Sequence, residues 1–67
     1  MAYQEFRDKI KTTLKESDRP LTWTEVRTIA GLPQMLPNNQ WVRRMESDIR
    51  LTRERDKKGM IHWRLGQ

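Results

Sequence analysis

The chain contains no cysteine, one histidine, three glycines and no long apolar run. Without cysteine there is no disulfide framework and no thiolate metal site. One histidine among scattered acids supplies no cluster of metal ligands. It also supplies no base with a predictable partner. His62 alternates with Ile61 and Trp63, so it is expected to face outward. Ser17 falls at a helix end and Ser47 on a helix, and neither has an assignable base, so no nucleophile–base pair can be argued. The glycines stand at 31, 59 and 66, each at a turn or an end, which excludes a glycine-rich phosphate loop. The opening "MAYQEFRDKI" is too polar for a secretory signal. Its apolar runs fall far short of the roughly 20 residues of a membrane helix. These absences predict a cytoplasmic, non-catalytic domain with no cofactor and no membrane partner.

What is present is charge and a small core. A chain of 67 residues is expected to form one domain, 1–67. It buries only about 60% of its unfolded surface, so it has no room for a deep substrate cleft beside its core. The net charge is +5 and it is unevenly placed. Residues 1–36 hold six Lys/Arg against five Asp/Glu, whereas residues 37–67 hold eight against four. A basic half points to a polyanionic partner.

Tyr3, Phe6, Ile10 and Leu14 recur at steps of three and four, which predicts an amphipathic helix over roughly residues 3–17. It stops at "SDRP", where Pro20 cannot continue it. A short extended piece follows. Thr22 and Glu25 then have capping-box spacing for a second helix from Trp23 to about Ala30. Gly31 suits the left-handed residue that ends it. In this helix Trp23, Val26, Ile29 and Ala30 share a face, and Thr24, Arg27 and Thr28 lie away from it. The connection "LPQMLP" is expected to tuck Leu32, Met35 and Leu36 inward. Asn38 or Asn39 caps a third helix, with Pro37 just ahead of it. Its buried stripe is Trp41, Val42, Met45 and Ile49. Gln40, Arg43 and Ser47 fall opposite, flanked by Arg44 and Asn39. After Ile49 the period changes from 3.6 to 2. The run "LTRERDKKGMIHWRL" predicts a β-hairpin with strands at about 51–55 and 60–65 and Asp56, Lys57 and Lys58 at its tip. The expected core joins Phe6, Ile10 and Leu14 to Trp23, Val26, Ile29, Trp41 and Met45. Periodicity puts all three tryptophans on buried faces, Trp63 least firmly, since a hairpin near its end has two open faces.

This order of helix, short strand, helix, helix and basic hairpin resembles the winged helix-turn-helix family. "RPLTWTEVRTIAGLP" resembles the strand and first helix of the motif, "NNQWVRRMESDI" the recognition helix, and "IRLTRERDKKGMIHWRL" the wing. The resemblance covers nearly the whole chain. It is one of spacing rather than of a diagnostic signature, and the connection with Pro33 and Pro37 is longer than the tight turn of the simplest motif. The resemblance implies an α+β fold of three helices and a C-terminal hairpin wing. It also implies a third helix lying in the DNA major groove with its first residues at the base edges, and hence a transcriptional regulator.

The residues themselves support a nucleic-acid reading. Asn and Gln can pair with adenine and Arg with guanine. Asn39, Gln40, Arg43, Arg44 and Ser47 offer such groups on one exposed helix surface. The start of the second helix presents free amides to a phosphate, with Thr24, Arg27 and Thr28 beside them. Lys57 and Lys58 reach for backbone or minor groove. The competing readings are an RNA-binding module and a protein-interaction adaptor. In the simplest alternative, Arg43 and Arg44 pair with Glu46, Asp48 or Glu54. A homodimer and a place in a larger protein both fit.

Overall fold

The computed structural model describes residues 1–66. In chain order its elements are α1 (Tyr3–Glu16), β1 (Leu21–Thr22), α2 (Trp23–Ala30), α3 (Asn39–Asp48), β2 (Leu51–Arg55) and β3 (Ile61–Leu65). This is the expected α+β domain of three helices and a C-terminal hairpin, an arrangement consistent with a winged helix. None of its helices is long and apolar enough to cross a membrane.

The predicted end signals form as hydrogen bonds. Thr22 Oγ1 accepts from the Glu25 amide at 3.2 Å, and the Glu25 carboxylate accepts from the Thr22 amide at 2.9 Å. Gly31 closes α2 at φ 69°, where a side chain would be strained. Asn38, not Asn39, caps α3: its side chain accepts from the Trp41 amide at 3.1 Å. In the wing, Asp56 Oδ1 accepts from the amides of Lys58 and Met60, and Gly59 takes φ 84°.

The strands lie in the order β1-β3-β2, all antiparallel. Leu21 pairs with Trp63 on one side of β3, and Arg53 pairs with Trp63 on the other. Being central, β3 presses its inner face under the helices. Trp63 is therefore only 2% exposed, the most buried tryptophan of the three. Trp23 and Trp41 are half-buried and close over Phe6 from two sides, with ring centroids 6.2 and 5.1 Å away. Tyr3, Ile10, Leu14, Leu21, Val26, Leu32, Val42, Met45 and Leu51 complete the core.

Three expected core positions are corrected. Ile29 is 64% exposed. The bulk of Trp23 sets the inward face of α2 toward Trp23, Val26 and Ala30, which leaves Ile29 roughly 90° away at about 100° per residue. It borders a surface hollow with Thr12, Thr13 and Leu21 instead. Met35 and Leu36 are 74% and 79% exposed, while Leu32 alone of that loop is fully inside. The cause is a pair of pinned carbonyls. Arg27 Nε donates to the Gln34 carbonyl at 2.8 Å, and Trp23 Nε1 donates to the Met35 carbonyl at 2.9 Å. With its oxygens turned toward α2, the loop turns its next two side chains to solvent. Burying either would contribute about 1.5–3 kcal/mol, so their exposure is costly in so small a domain. The same contacts bring the loop back to the Trp23 end of α2, and α2 and α3 scarcely touch. The long connection therefore replaces the tight turn of the simplest motif.

Candidate nucleic-acid interface

On α3 the buried residues Val42 and Met45 leave Asn39, Gln40, Arg43, Arg44 and Ser47 exposed, as expected. The two arginines then diverge. Arg44 lies over the ring of Tyr3, with its guanidinium carbon 4.0 Å from the ring centroid. The Tyr3 hydroxyl donates to Asp48 at 2.7 Å. Burial, followed by that hydrogen bond, pushes the Tyr3 phenol up to about 12. Arg44 is thus held on the α1 side of α3. Arg43 falls roughly 100° further round, on the outward strip with Gln40 and Ser47. Among the described residues neither arginine pairs with an acid. Asp48 accepts from Tyr3 and Glu54 pairs with Arg64, so two of the three carboxylates in the ion-pair alternative are otherwise engaged.

The start of α2 differs from expectation. Thr24 and Thr28 are exposed, but Arg27 is half-buried and spends its Nε on the loop. The capping box already occupies the Glu25 and Thr22 amides. The Glu25 carboxylate also sits there, gripped by Arg19 at 2.8 Å. That partner, and then the Thr22 amide, hold its carboxyl down at about 2. This helix end therefore carries the Glu25–Arg19 ion pair beside its remaining first-turn amides.

Lys57 and Lys58 are exposed at the wing tip. A residue absent from the sequence reading joins them: Arg53, exposed, with its guanidinium 5.7 Å from the Trp63 ring centroid. It borders a cleft of about 470 Å3 between wing and helices, walled by Trp23, Thr24, Pro37, Met60 and Ile61. The signal for it was alternation. Arg53 shares the parity of Leu51, hence the inner side of β2.

Electrostatically the two halves of the chain differ. Arg7, Lys9 and Arg19 have carboxylate partners. Among the described lysines and arginines beyond 36, only Arg64 has one; Arg43, Arg44, Arg50, Arg53, Arg55, Lys57 and Lys58 do not. His62 and Asp56 close on each other at 2.9 Å on the far face of the wing. Comparison with family models, curated proteins and solved structures finds no match.

Proposed function

We propose that the domain is a non-catalytic nucleic-acid-binding module, with duplex DNA its foremost ligand. In this reading the outward strip of α3 meets the major groove, and the wing lies along the backbone. The observation that carries it is the set of seven cations beyond residue 36 that have no carboxylate partner among the described residues. Surface cations with no acid beside them are the groups that displace counterions from a polyanion. Asn39, freed from capping by Asn38, and Gln40 add donor–acceptor pairs of the kind that read adenine. Arg43 is the arginine best placed for a base or phosphate, since Arg44 is engaged by Tyr3. A part in transcription regulation follows if binding proves sequence-specific.

The test is a salt titration of the domain against labelled duplex DNA, duplex RNA and single-stranded DNA. Steep salt-dependent binding, strongest to duplex DNA, is the expected result. Preference for duplex RNA would move the proposal to an RNA module. Absence of salt-dependent binding to all three at micromolar concentration would leave the protein-adaptor reading as the better one.

A further inference from the structure

The cleft between wing and helices joins an apolar wall to an uncompensated cation. Buried Trp63 lies at its floor, and the Trp23 ring packs on Trp63 with centroids 5.1 Å apart and planes tilted by 30°. Trp23 is half-buried and spends its Nε1–H on the Met35 carbonyl, so it offers the cleft only apolar ring surface. Met60 and Ile61 line the wing side and stand 55% and 38% exposed. Among the described residues that line the cleft, Arg53 is the single charged one and none is acidic. Nor has Arg53 a carboxylate partner elsewhere among the described residues. The strand register puts a second such cation beside it. Arg53 pairs with Trp63 and Arg55 with Ile61, so both arginines share one face of the wing with the apolar wall.

This combination selects its occupant. A ligand for the cleft needs a flat apolar body and a negative charge within reach of Arg53. An unpaired nucleotide has both, a base with a π-face and a phosphate. At about 470 Å3 the cleft falls within the roughly 300–1,000 Å3 of small-ligand sites. Such sites bury roughly 70–90% of a free ligand, whereas here two walls stand open to solvent. A base on a strand already held by the neighbouring cations needs no such enclosure, because its local concentration is on the order of millimolar.

Resting on the nucleic-acid reading, we infer that this cleft takes one unpaired nucleotide at the end of a bound duplex. Its base lies against Trp23 and Met60, and its phosphate lies at Arg53. The domain therefore prefers a duplex that carries an unpaired nucleotide to one that is fully paired.

The experiment compares a blunt DNA duplex with the same duplex carrying one unpaired adenosine, at the 5′ end in one version and the 3′ end in the other. A third version carries an abasic nucleotide there. The tailed duplex of one polarity is expected to bind about fivefold or more tightly than the blunt one, and the abasic tail should lose that gain. Met60→Ser should abolish the ratio of tailed to blunt affinity and keep the melting temperature, because Met60 is exposed; Met60→Leu should keep the ratio. Without any variant, 2-aminopurine in the unpaired position should lose emission as it stacks on the indole. Equal, salt-dependent binding of blunt and tailed duplexes overturns the nucleotide site and leaves nucleic-acid binding intact. An undiminished gain with the abasic tail, a gain retained by Met60→Ser, or unchanged 2-aminopurine emission also overturns the site. Should indole fluorescence respond to benzoate while blunt and tailed duplexes bind alike, the occupant is a small aromatic acid and the inference fails. No salt-dependent binding to any duplex overturns both readings.

Discussion

Replacing Arg53 by Ala tests the electrostatic reading at the residue where structure adds most to sequence. Suppose Arg43, Arg53, Arg55, Lys57 and Lys58 each meet one phosphate. At about 0.9 counterions per contact, the logarithm of affinity should fall with the logarithm of salt at a slope near −4.5. Between about 50 and 200 mM salt that is a loss of roughly 500-fold. Arg53→Ala should shallow the slope to about −3.6 and the loss to roughly 150-fold. Arg64→Ala is the control, because Arg64 is already paired with Glu54 and should leave the slope unchanged. Stability must be checked beside it. Arg53 also sits over the Trp63 ring, an exposed cation–π contact worth about 0.5–1 kcal/mol. A domain holding roughly 3–5 kcal/mol survives that loss. Fluorescence anisotropy at several salt concentrations, with a thermal melt of each variant, provides the readout. A parent slope shallower than about −1, or equal slopes for parent and Arg53→Ala, would refute the reasoning.

Three further outcomes are expected. Trp63→Ala should cost about 3–5 kcal/mol and abolish the cooperative melt, whereas Ile29→Ser should stay within about 0.5 kcal/mol of the parent; a large loss from Ile29→Ser in chemical denaturation would show that side chain to be buried. Glu25 has a carboxyl lowered from 4.5 to about 2, so its contribution is full above pH 4.5 and drains as pH falls toward 2. Glu25→Gln should therefore destabilise the domain at pH 6 and match the parent near pH 2; a deficit independent of pH would show the Arg19 pairing not to matter. The single tyrosine is raised from 10.0 to about 12, so its contribution is present below pH 10 and lost as pH rises through 12. Ultraviolet titration should find Tyr3 ionising late, and Tyr3→Phe should lose the contact with Asp48; an ordinary midpoint near 10 would contradict that contact.

Local signals in the sequence were decisive where the physics is local. The Thr22–Glu25 box, Gly31, the α3 stripe and the hairpin each depend on residues a few positions apart, and each forms as read, with the second strand starting at Ile61 rather than residue 60. The exposed set on α3 follows from the same periodicity. Distant partners were invisible. Nothing near Trp63 reveals that Leu21, forty-two positions earlier, pairs with it and makes β3 central. Nothing near Met35 announces that the Trp23 indole will claim its carbonyl and turn its side chain outward. Periodicity set Arg43 opposite the buried stripe and Arg44 on its flank, but not that Arg44 would be held over the ring of Tyr3, far away in the chain. The capping box was legible, but the grip of Arg19 on its Glu25 carboxylate was not. Arg53 could have been found from the alternation that includes Leu51.

The strand order carries a consequence for how this molecule comes into being. β3 is made last among the elements, yet it is the only strand bonded to both others. Until it arrives, β1 has no partner, β2 has none either, and no Trp63 seals the underside of the helices. Everything translated earlier must wait with Phe6, Val26 and Val42 unsealed. At about 5–20 residues per second the wait lasts seconds, and sheet pairing across such sequence distance is itself slow. The domain should therefore fold in one late, concerted step. A chain stopped just before β3 would be a substrate for chaperones and proteases, not a smaller version of the same protein.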